Sequence, residues 1–193
     1  MLTAPIRRIS ADNGGTIEFE DGSSVENFDK LIFATGYRLS YPFLSPEPVT
    51  PQNRLAGFYE HIWKIGDPSL TVVGQVKAAL SFRVYEYQAV AVARFLAGRA
   101  KLPSKEAQED WETKRLVYKG PTNNFHEIKP DFKEYFNFLR EVAGKPAHGS
   151  KGYELPAWED TWPEQAFAVL QLKDKYWKSL KNAKVLEPVC AKL

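Results

Sequence analysis

Two short apolar runs, each followed by small residues, predict buried β-strands. Residues 31–33 (Leu-Ile-Phe) precede the small residues 34–36, and the largely apolar residues 70–73 precede Gly74. Runs this short are typical of strands rather than helices, and apolar residues at consecutive positions favour burial on both faces of a sheet. In open α/β sheets, ligands bind at the carboxyl ends of such strands. Both turns are therefore candidate binding sites, with a tight turn of no further role as the alternative.

The N-terminal part shows the pattern of a small antiparallel sheet. Residues 6–10, 16–20 and 24–28 are candidate strands, and they are separated by the turn-forming residues 12–15 and 21–24. The first turn, Asp-Asn-Gly-Gly, consists of residues that tolerate positive φ, as hairpin turns require. We therefore predict a β-meander that leads into the first apolar run as a central strand.

Helical periodicity and capping signals predict four helices in the second half of the chain. They run over about 83–96, 104–117, 131–144 and 161–181. Gly98 is placed as the C-terminal glycine of the first helix, and Ser104 is placed as the N-cap of the second. The first helix is apolar nearly all round, which predicts burial on most sides. The aromatic stripe of the last helix, from Phe167 to Leu180, is predicted to be core rather than a binding site.

Composition excludes several classes of partner and site. The 193 residues are 44% hydrophobic with a net charge of +2, so no overall field indicates nucleic acid or an anionic membrane. The single cysteine, Cys190, excludes an internal disulfide framework and a cysteine-built metal site. No apolar run approaches the ~18 residues of a membrane span, and the N-terminus lacks a signal-peptide core. A cytoplasmic protein is expected.

A series of short motifs, in order and spacing, resembles the C-terminal part of flavin-containing monooxygenases, particularly the fungal members. The resemblance runs from about Asp29 to about Gly144. The matching pieces are Asp29-x-Leu-Ile-Phe-Ala-Thr-Gly-Tyr37, Tyr41-Pro42-Phe43-Leu44, His61-Ile62-Trp63, Asp67-Pro68-Ser69-Leu70, Val72-Val73-Gly74, Glu86-x-Gln88-Ala89, Gly98 and Leu102-Pro103-Ser104-Lys105.

The resemblance implies a fold and an activity for the complete enzyme. The fold is α/β (α+β as an isolated piece), forming the C-terminal part of a flavoprotein with two dinucleotide-binding domains. Residues 1–37 would be the β-meander and the strand returning between domains, and residues 38–193 would be the C-terminal part of the FAD-binding domain with a helical tail. The enzyme would use FAD, NADPH and O2 to oxygenate a small nitrogen or sulfur nucleophile.

The resemblance also assigns candidate cofactor-binding residues. Thr35, Gly36 and Tyr37 would lie in the hinge close to both nucleotides; the alternative is a turn whose tyrosine packs in the core. Gly74 and Gln75 would bring the backbone close to the flavin a second time, the alternative being an ordinary strand-to-loop glycine. No catalytic side chain is predicted, because the cofactor carries the chemistry.

Gln88 would lie on a helix whose beginning faces the flavin. The alternative is a buried helix carrying satisfied polar groups, with Glu86 paired to Arg83. Ser81, Arg83 and Val90 differ from the residues usual in the family at these positions. His61, His126 and His148 have no partner at ligand or triad spacing in the sequence and are predicted to be structural, and no metal site is predicted.

One expected motif is absent from the sequence. Dinucleotide folds of this kind hold the pyrophosphate with Gly-x-Gly-x-x-Gly, and no two glycines here are separated by one residue. The two fingerprints of the family are expected upstream of Met1, so the chain is predicted to be the C-terminal part of a larger enzyme or a truncated relative, inactive alone. The alternative is a non-catalytic chain acting as a folding or interaction partner. In either case we expect self-association through exposed core residues.

Overall fold

A computed structural model describes residues 4–11, 15–28, 30–78 and 80–180. The chain divides into two compact units, residues 1–38 and residues 39–193. The first contains a three-stranded sheet, and the second contains a two-stranded sheet and the helices. These small sheets and helices confirm the predicted α/β class. The roles predicted for residues 1–37 and 38–193 as domains stay a prediction.

The first unit is built on the predicted meander. Its strands are antiparallel and adjacent in chain order: β1 (Ile6–Ser10), β2 (Thr16–Phe19) and β3 (Ser24–Glu26). Ile17 and Phe19 are buried at alternate positions of β2, as the two-residue period of a strand requires. In the following turn the Asp21 carboxylate accepts hydrogen bonds from the amide and hydroxyl of Ser23. Residues 12–14 of the first predicted turn lie outside the described residues.

The prediction of a buried central strand at residues 31–33 is wrong. No strand is assigned there, and Leu31, Ile32 and Phe33 are 37%, 85% and 73% exposed. A strand is stabilised by the ladders it forms with neighbours, and no strand among the described residues pairs with this run. Apolar sequence alone therefore did not produce burial.

The predicted strand at residues 70–73 is also wrong. Thr71 forms one isolated bridge with Trp63, and the amide of Val72 donates to the Ile62 carbonyl over 2.8 Å. Val73 is 45% exposed. The buried strands of the second unit are instead β4 (Phe58–Tyr59) and β5 (Trp63–Lys64), which pair antiparallel.

The four predicted helices are present close to their predicted bounds. They are α1 (Ser81–Leu96), α2 (Lys105–Lys119), α3 (Phe132–Ala143) and α4 (Trp162–Leu180), with a short 3-10 helix at Asn123–His126. Gly98 follows α1 with φ of +70°, and its amide donates to the Phe95 carbonyl, as a C-terminal glycine does. The Ser104 hydroxyl accepts from the Ala107 amide and caps α2.

Helices α1 and α3 form the centre of the core. The buried residues of α3 recur at helical spacing: Phe132, Tyr135, Phe136, Leu139 and Ala143. They pack with one face of α1 and with Ile62, Trp63, Leu155 and Trp162. The opposite face of α1 is exposed at Phe82, Glu86, Ala89, Ala93 and Leu96. The predicted burial of α1 on most sides is therefore wrong, because its packing partners cover one face and leave the other exposed.

Helix α4 is held by its first residue. Trp162 is buried, with the Arg83 guanidinium carbon 3.9 Å from its ring centroid. The predicted core stripe of this helix is wrong, because Phe167, Leu170, Tyr176, Trp177 and Leu180 are all exposed. Apolar periodicity predicted the helix correctly, but no surface among the described residues covers its apolar side chains. None of the described helices combines the length and apolarity needed to cross a bilayer.

Candidate functional site

Gly74 lies in a loop that is bonded to α1. The loop follows the residues that bridge to β5, and Gly74 adopts φ of +96°, a conformation that favours glycine. A Cβ added here would meet the Tyr85 ring at 3.9 Å, an ordinary contact, so backbone conformation rather than space requires the glycine. The Gly74 amide donates to Gln88 Oε1 over 2.9 Å. The predicted residues Gly74 and Gln88 are thus in direct contact.

Both polar atoms of the Gln88 side chain are hydrogen-bonded within the protein. It has no exposed surface, and its Nε2 donates to the Tyr135 hydroxyl over 2.8 Å. That hydroxyl in turn donates to the Glu60 carbonyl over 2.8 Å. A chain of three hydrogen bonds therefore joins the Gly74 loop, α1, α3 and the turn before β5. Each group has one partner of the matching kind, which fixes the amide orientation.

Gln75 is also held by a side chain. Its Oε1 accepts a hydrogen bond from the Tyr41 hydroxyl over 2.9 Å. Burial raises the pKa of Tyr41, so its hydroxyl remains a donor at neutral pH. The side chain of Gln75 is thus held toward Tyr41, while the neighbouring Val73 side chain is exposed.

Thr35, Gly36 and Tyr37 belong to the first unit, where all three are exposed. Tyr37 is 98% exposed, so the alternative that it packs in the core is wrong. Gly36 adopts φ of +82°, and nothing lies within 4 Å of the position its Cβ would take. The turn therefore needs glycine for its backbone conformation and leaves open space around it.

Two histidines that are distant in the sequence form a buried pair, which their spacing in the sequence did not predict. His61 and His126 have no exposed surface, and their Nδ1 atoms are 3.0 Å apart although 65 positions separate them. The Leu55 amide donates to His126 Nε2 over 3.1 Å, so the proton of His126 lies on Nδ1 and is donated to His61. Burial lowers the pKa of His126 to about 3 and that of His61 well below its usual value, so both rings are neutral at pH 7.

The two histidines do not belong to a larger cluster of metal-ligating side chains in the described part of the chain. No group of three or more histidine, cysteine, aspartate or glutamate side chains there could hold a metal ion. The histidine pair is enclosed by aromatic rings, with Trp111 and Phe125 centroids 5.3 and 5.4 Å from His61. This arrangement supports the prediction that the two histidines are structural.

Residues 7–150 match the FMO-like family, described as flavin-binding monooxygenase-like. The chain belongs to this family. The matched region contains both the Gly74 loop and the Thr35–Tyr37 turn, and it starts within the meander. Membership confirms the resemblance drawn from the motifs.

Individual flavin-containing monooxygenases give the same result. The chain is 32% identical over 144 residues to FMO GS-OX5 of Arabidopsis thaliana, covering 71% of this chain and 31% of that protein. It is 38% identical over 136 residues to human flavin-containing monooxygenase 2, covering 66% and 25%. A fungal relative, ustF2 of Aspergillus flavus, is 26% identical over 170 residues, covering 81% and 34%. The chain thus spans a quarter to a third of the length of these monooxygenases.

A solved structure is similar in fold. The S-allyl-L-cysteine S-oxygenase of Allium sativum superposes with a TM-score of 0.67 at 25% identity, covering 92% of this chain and 39% of that one. The fold of this chain is therefore a part of an FMO-family oxygenase fold, consistent with the predicted C-terminal fragment. The assignment of the candidate cofactor-binding residues stays a prediction.

Proposed function

We propose that this chain supplies the C-terminal part of an FAD- and NADPH-dependent monooxygenase that oxygenates a small nitrogen or sulfur nucleophile with O2. Membership of the family supports the flavin chemistry. Sulfur and nitrogen both occur in the names of similar proteins: the garlic S-oxygenase, and the chimpanzee dimethylaniline monooxygenase (N-oxide-forming) 2 at 38% identity. The cofactors would supply oxygen transfer and reducing equivalents, and the protein would supply position.

The observation that carries the proposal is the hydrogen bond from the Gly74 amide to the buried Gln88 amide. Close approach of a flavin needs backbone without an intervening side chain, and a fixed backbone needs its polar groups satisfied. Gly74 provides backbone without a side chain, and Gln88 provides the hydrogen-bond partner of its amide. Because the side chain of Gln88 is enclosed, its role is to position the loop rather than to contact the cofactor.

The remaining candidates fit a cofactor surface through backbone and small side chains. Thr35 and Gly36 lie in an exposed turn, and Gly74 and Gln75 lie in a half-buried loop. The described residues provide no glycine-rich loop at a helix N-terminus, so the pyrophosphate groups would be held by other residues of a complete enzyme. On its own, this chain is expected to show neither flavin absorbance nor NADPH oxidation.

A second candidate function is a non-catalytic chain that binds a folding partner. The exposure of Ile32 and Phe33, 85% and 73%, favours it, because large neighbouring apolar side chains on a surface are typical of interaction sites. The two functions differ in one property: only the first requires the Gly36 and Gly74 turns to face a nucleotide.

A fusion distinguishes the two functions. Joining this chain to the N-terminal part of a related monooxygenase is expected to give stoichiometric FAD binding, measured by absorbance, and NADPH oxidation. Gly36→Val in the fusion is expected to abolish FAD binding or to uncouple NADPH oxidation. A valine at positive φ strains the backbone by on the order of 1–3 kcal/mol, and its side chain adds bulk where the nucleotides are proposed to approach.

Gly149→Val is a matched control. Gly149 also has positive φ, +72°, with nothing within 4 Å of its Cβ position. Both substitutions therefore impose similar backbone strain without a collision, and only Gly36 is proposed to face a cofactor. Equal loss in both variants would indicate misfolding, and an active Gly36→Val fusion would contradict the proposed role of the hinge.

A further inference from the structure

A cavity separate from the Gly74 loop lies between α2, α3 and the turn before β5. Its volume is about 500 Å³, within the range of small-molecule sites. Its lining consists of Glu60, Trp111, Lys114, Arg115, Tyr118, Ile128, Asp131, Glu134, Tyr135 and Phe138. None of the candidate cofactor-binding residues is among them. The proposed oxygenation function leaves this cavity without a role.

Aromatic rings form much of the cavity wall. Trp111, Tyr118, Tyr135 and Phe138 come from α2 and α3. The faces of such rings carry partial negative charge and attract cations. One cation is already near a ring face, since the Arg115 guanidinium carbon lies 5.7 Å from the Trp111 ring centroid. The wall is thus suited to a ligand with both apolar and cationic character.

The basic groups of the lining are engaged by the protein. Lys114 Nζ lies 2.7 Å from Asp110 Oδ2. Arg115 donates from Nε to the Phe125 carbonyl and from Nη2 to the Glu127 carbonyl, over 2.8 and 2.9 Å. These contacts reduce the capacity of both side chains to bind an anion in the cavity.

Two of the three acidic groups of the lining have no ion pair among the described residues. Asp131 lies 3.6 Å from Lys119 Nζ, but within the described residues no ion pair closer than 4 Å involves Glu60 or Glu134. The Tyr135 hydroxyl donates to the Glu60 carbonyl and fixes that residue, whose φ of +48° is uncommon for glutamate. Burial raises the pKa of Glu60 to about 7 against the opposing effects of the Arg115 charge and of a hydrogen bond between the Glu60 carboxylate and the Trp111 side chain. A cationic ligand would restore the stabilisation that this carboxylate loses on burial.

We propose that this cavity binds a small organic ammonium ion bearing an apolar group. The carboxylates of Glu60 and Glu134 pair with the ammonium group, and the rings of Trp111, Tyr135 and Phe138 pack against the apolar part. The site does not rest on the proposed monooxygenase function, because no candidate cofactor-binding residue lines it, although Tyr135 and Glu60 also belong to the hydrogen-bond chain that holds the Gly74 loop.

Titration calorimetry of the full chain with three matched probes tests the site. At pH 8, above the Glu60 pKa of about 7, 2-phenylethylammonium is expected to bind about tenfold or more tightly than the neutral 2-phenylethanol, the affinity ratio of one charge-assisted contact. The anion 3-phenylpropionate is expected to bind more weakly than either. Stronger binding of the anion, equal binding of the alcohol, or no binding of any probe would overturn the proposal.

Charge-neutral variants locate the binding. Glu60→Gln is expected to weaken 2-phenylethylammonium binding about tenfold, whereas Glu141→Gln, at an exposed position of α3 outside the cavity, should leave it unchanged. Glu134→Gln serves as a second variant if circular dichroism shows that Glu60→Gln does not fold. Unchanged affinity in whichever folded cavity variant is measured would overturn the proposal.

Discussion

Two similar apolar stretches differ in burial in this protein. Ile62 and Trp63 have no exposed surface, whereas Ile32 and Phe33 are 85% and 73% exposed. Trp63 pairs with Tyr59 in a two-stranded sheet and contacts the rings of Phe95 and Phe138. Residues 31–33 have no strand partner among the described residues. Burial is therefore a property of the available partners, and not of the apolar sequence alone.

The largest expected contrast is in stability. Trp63→Ala should lower the free energy of unfolding by about 3–5 kcal/mol, because it removes a buried ring and leaves a cavity. Phe33→Ala should change it by no more than about 0.5 kcal/mol, as is usual at exposed positions. Urea unfolding followed by circular dichroism measures both. Similar losses in the two variants would contradict the observed difference in burial.

The buried histidine pair predicts acid sensitivity of the second unit. Because burial lowers both pKa values, the unfolded state binds more protons below about pH 6.5, so stability is fully present above that pH and is lost as pH falls toward about 3. Glu60 acts in the opposite direction between about pH 4.5 and 7, because its folded pKa is raised. Each histidine contributes about 1.4 kcal/mol per pH unit.

His61→Phe tests this assignment. The slope of unfolding free energy against pH, between pH 6 and 5, should decrease by about 1.4 kcal/mol per pH unit, the contribution of one proton. Gln165→Leu, at an exposed position of α4 with no titratable group, should leave the slope unchanged. An unchanged slope in His61→Phe would mean that the pair titrates normally in the folded protein.

The hydrogen-bond chain through Gln88 should have a smaller effect. Gln88→Leu leaves the Gly74 amide without its partner and should cost about 1–3 kcal/mol of unfolding free energy. Tyr135→Phe breaks the same chain, so the two effects should not add in a double-mutant cycle. Gln165→Leu, at an exposed position of α4, is the control. Additive effects would show that the chain does not act as a unit.

The smallest stability change is expected for the exposed run itself. The double substitution Ile32→Ser with Phe33→Ser should leave unfolding free energy nearly unchanged and reduce self-association, because it removes two large apolar side chains from the surface. Sedimentation velocity measures the association. Val117→Ser, at a smaller apolar side chain that is 86% exposed on α2, should reduce it less. A compact monomer before any substitution would contradict the expected self-association.

Capping residues and helical periodicity predicted the helices from local sequence, whereas strand formation depended on neighbouring strands. Ser104 and Gly98 mark helix ends through contacts within a few residues, so the sequence around them is sufficient. Residues 31–33 and 70–73 required knowledge of neighbouring strands, which local sequence does not contain. The prediction that the aromatic stripe of α4 is core was wrong for the same reason, because burial of the stripe needs a packing partner that local sequence does not specify.

The candidate site was predicted in part. The resemblance singled out Gly74 and Gln88, and the structure joins them by a hydrogen bond. The enclosure of Gln88 depends on Tyr135 from α3, which is 47 positions away, and no spacing rule connects them. The histidine pair was missed for the same reason, because its members meet only through tertiary packing.

Hydrogen exchange gives the most direct test of the account: α1 and α3 have a core of their own, and residues 31–33 lack a strand partner among the described residues. Under the proposed function, we expect the N-terminal part of a complete monooxygenase to supply that partner. In the chain alone, the amides of residues 31–33 should exchange rapidly while those of α1 and α3 are protected. In the fusion with the N-terminal part of a related monooxygenase, residues 31–33 should become protected by about a hundredfold or more, with α1 and α3 little changed. Protection of residues 31–33 in the chain alone, or no gain in the fusion, would contradict the account.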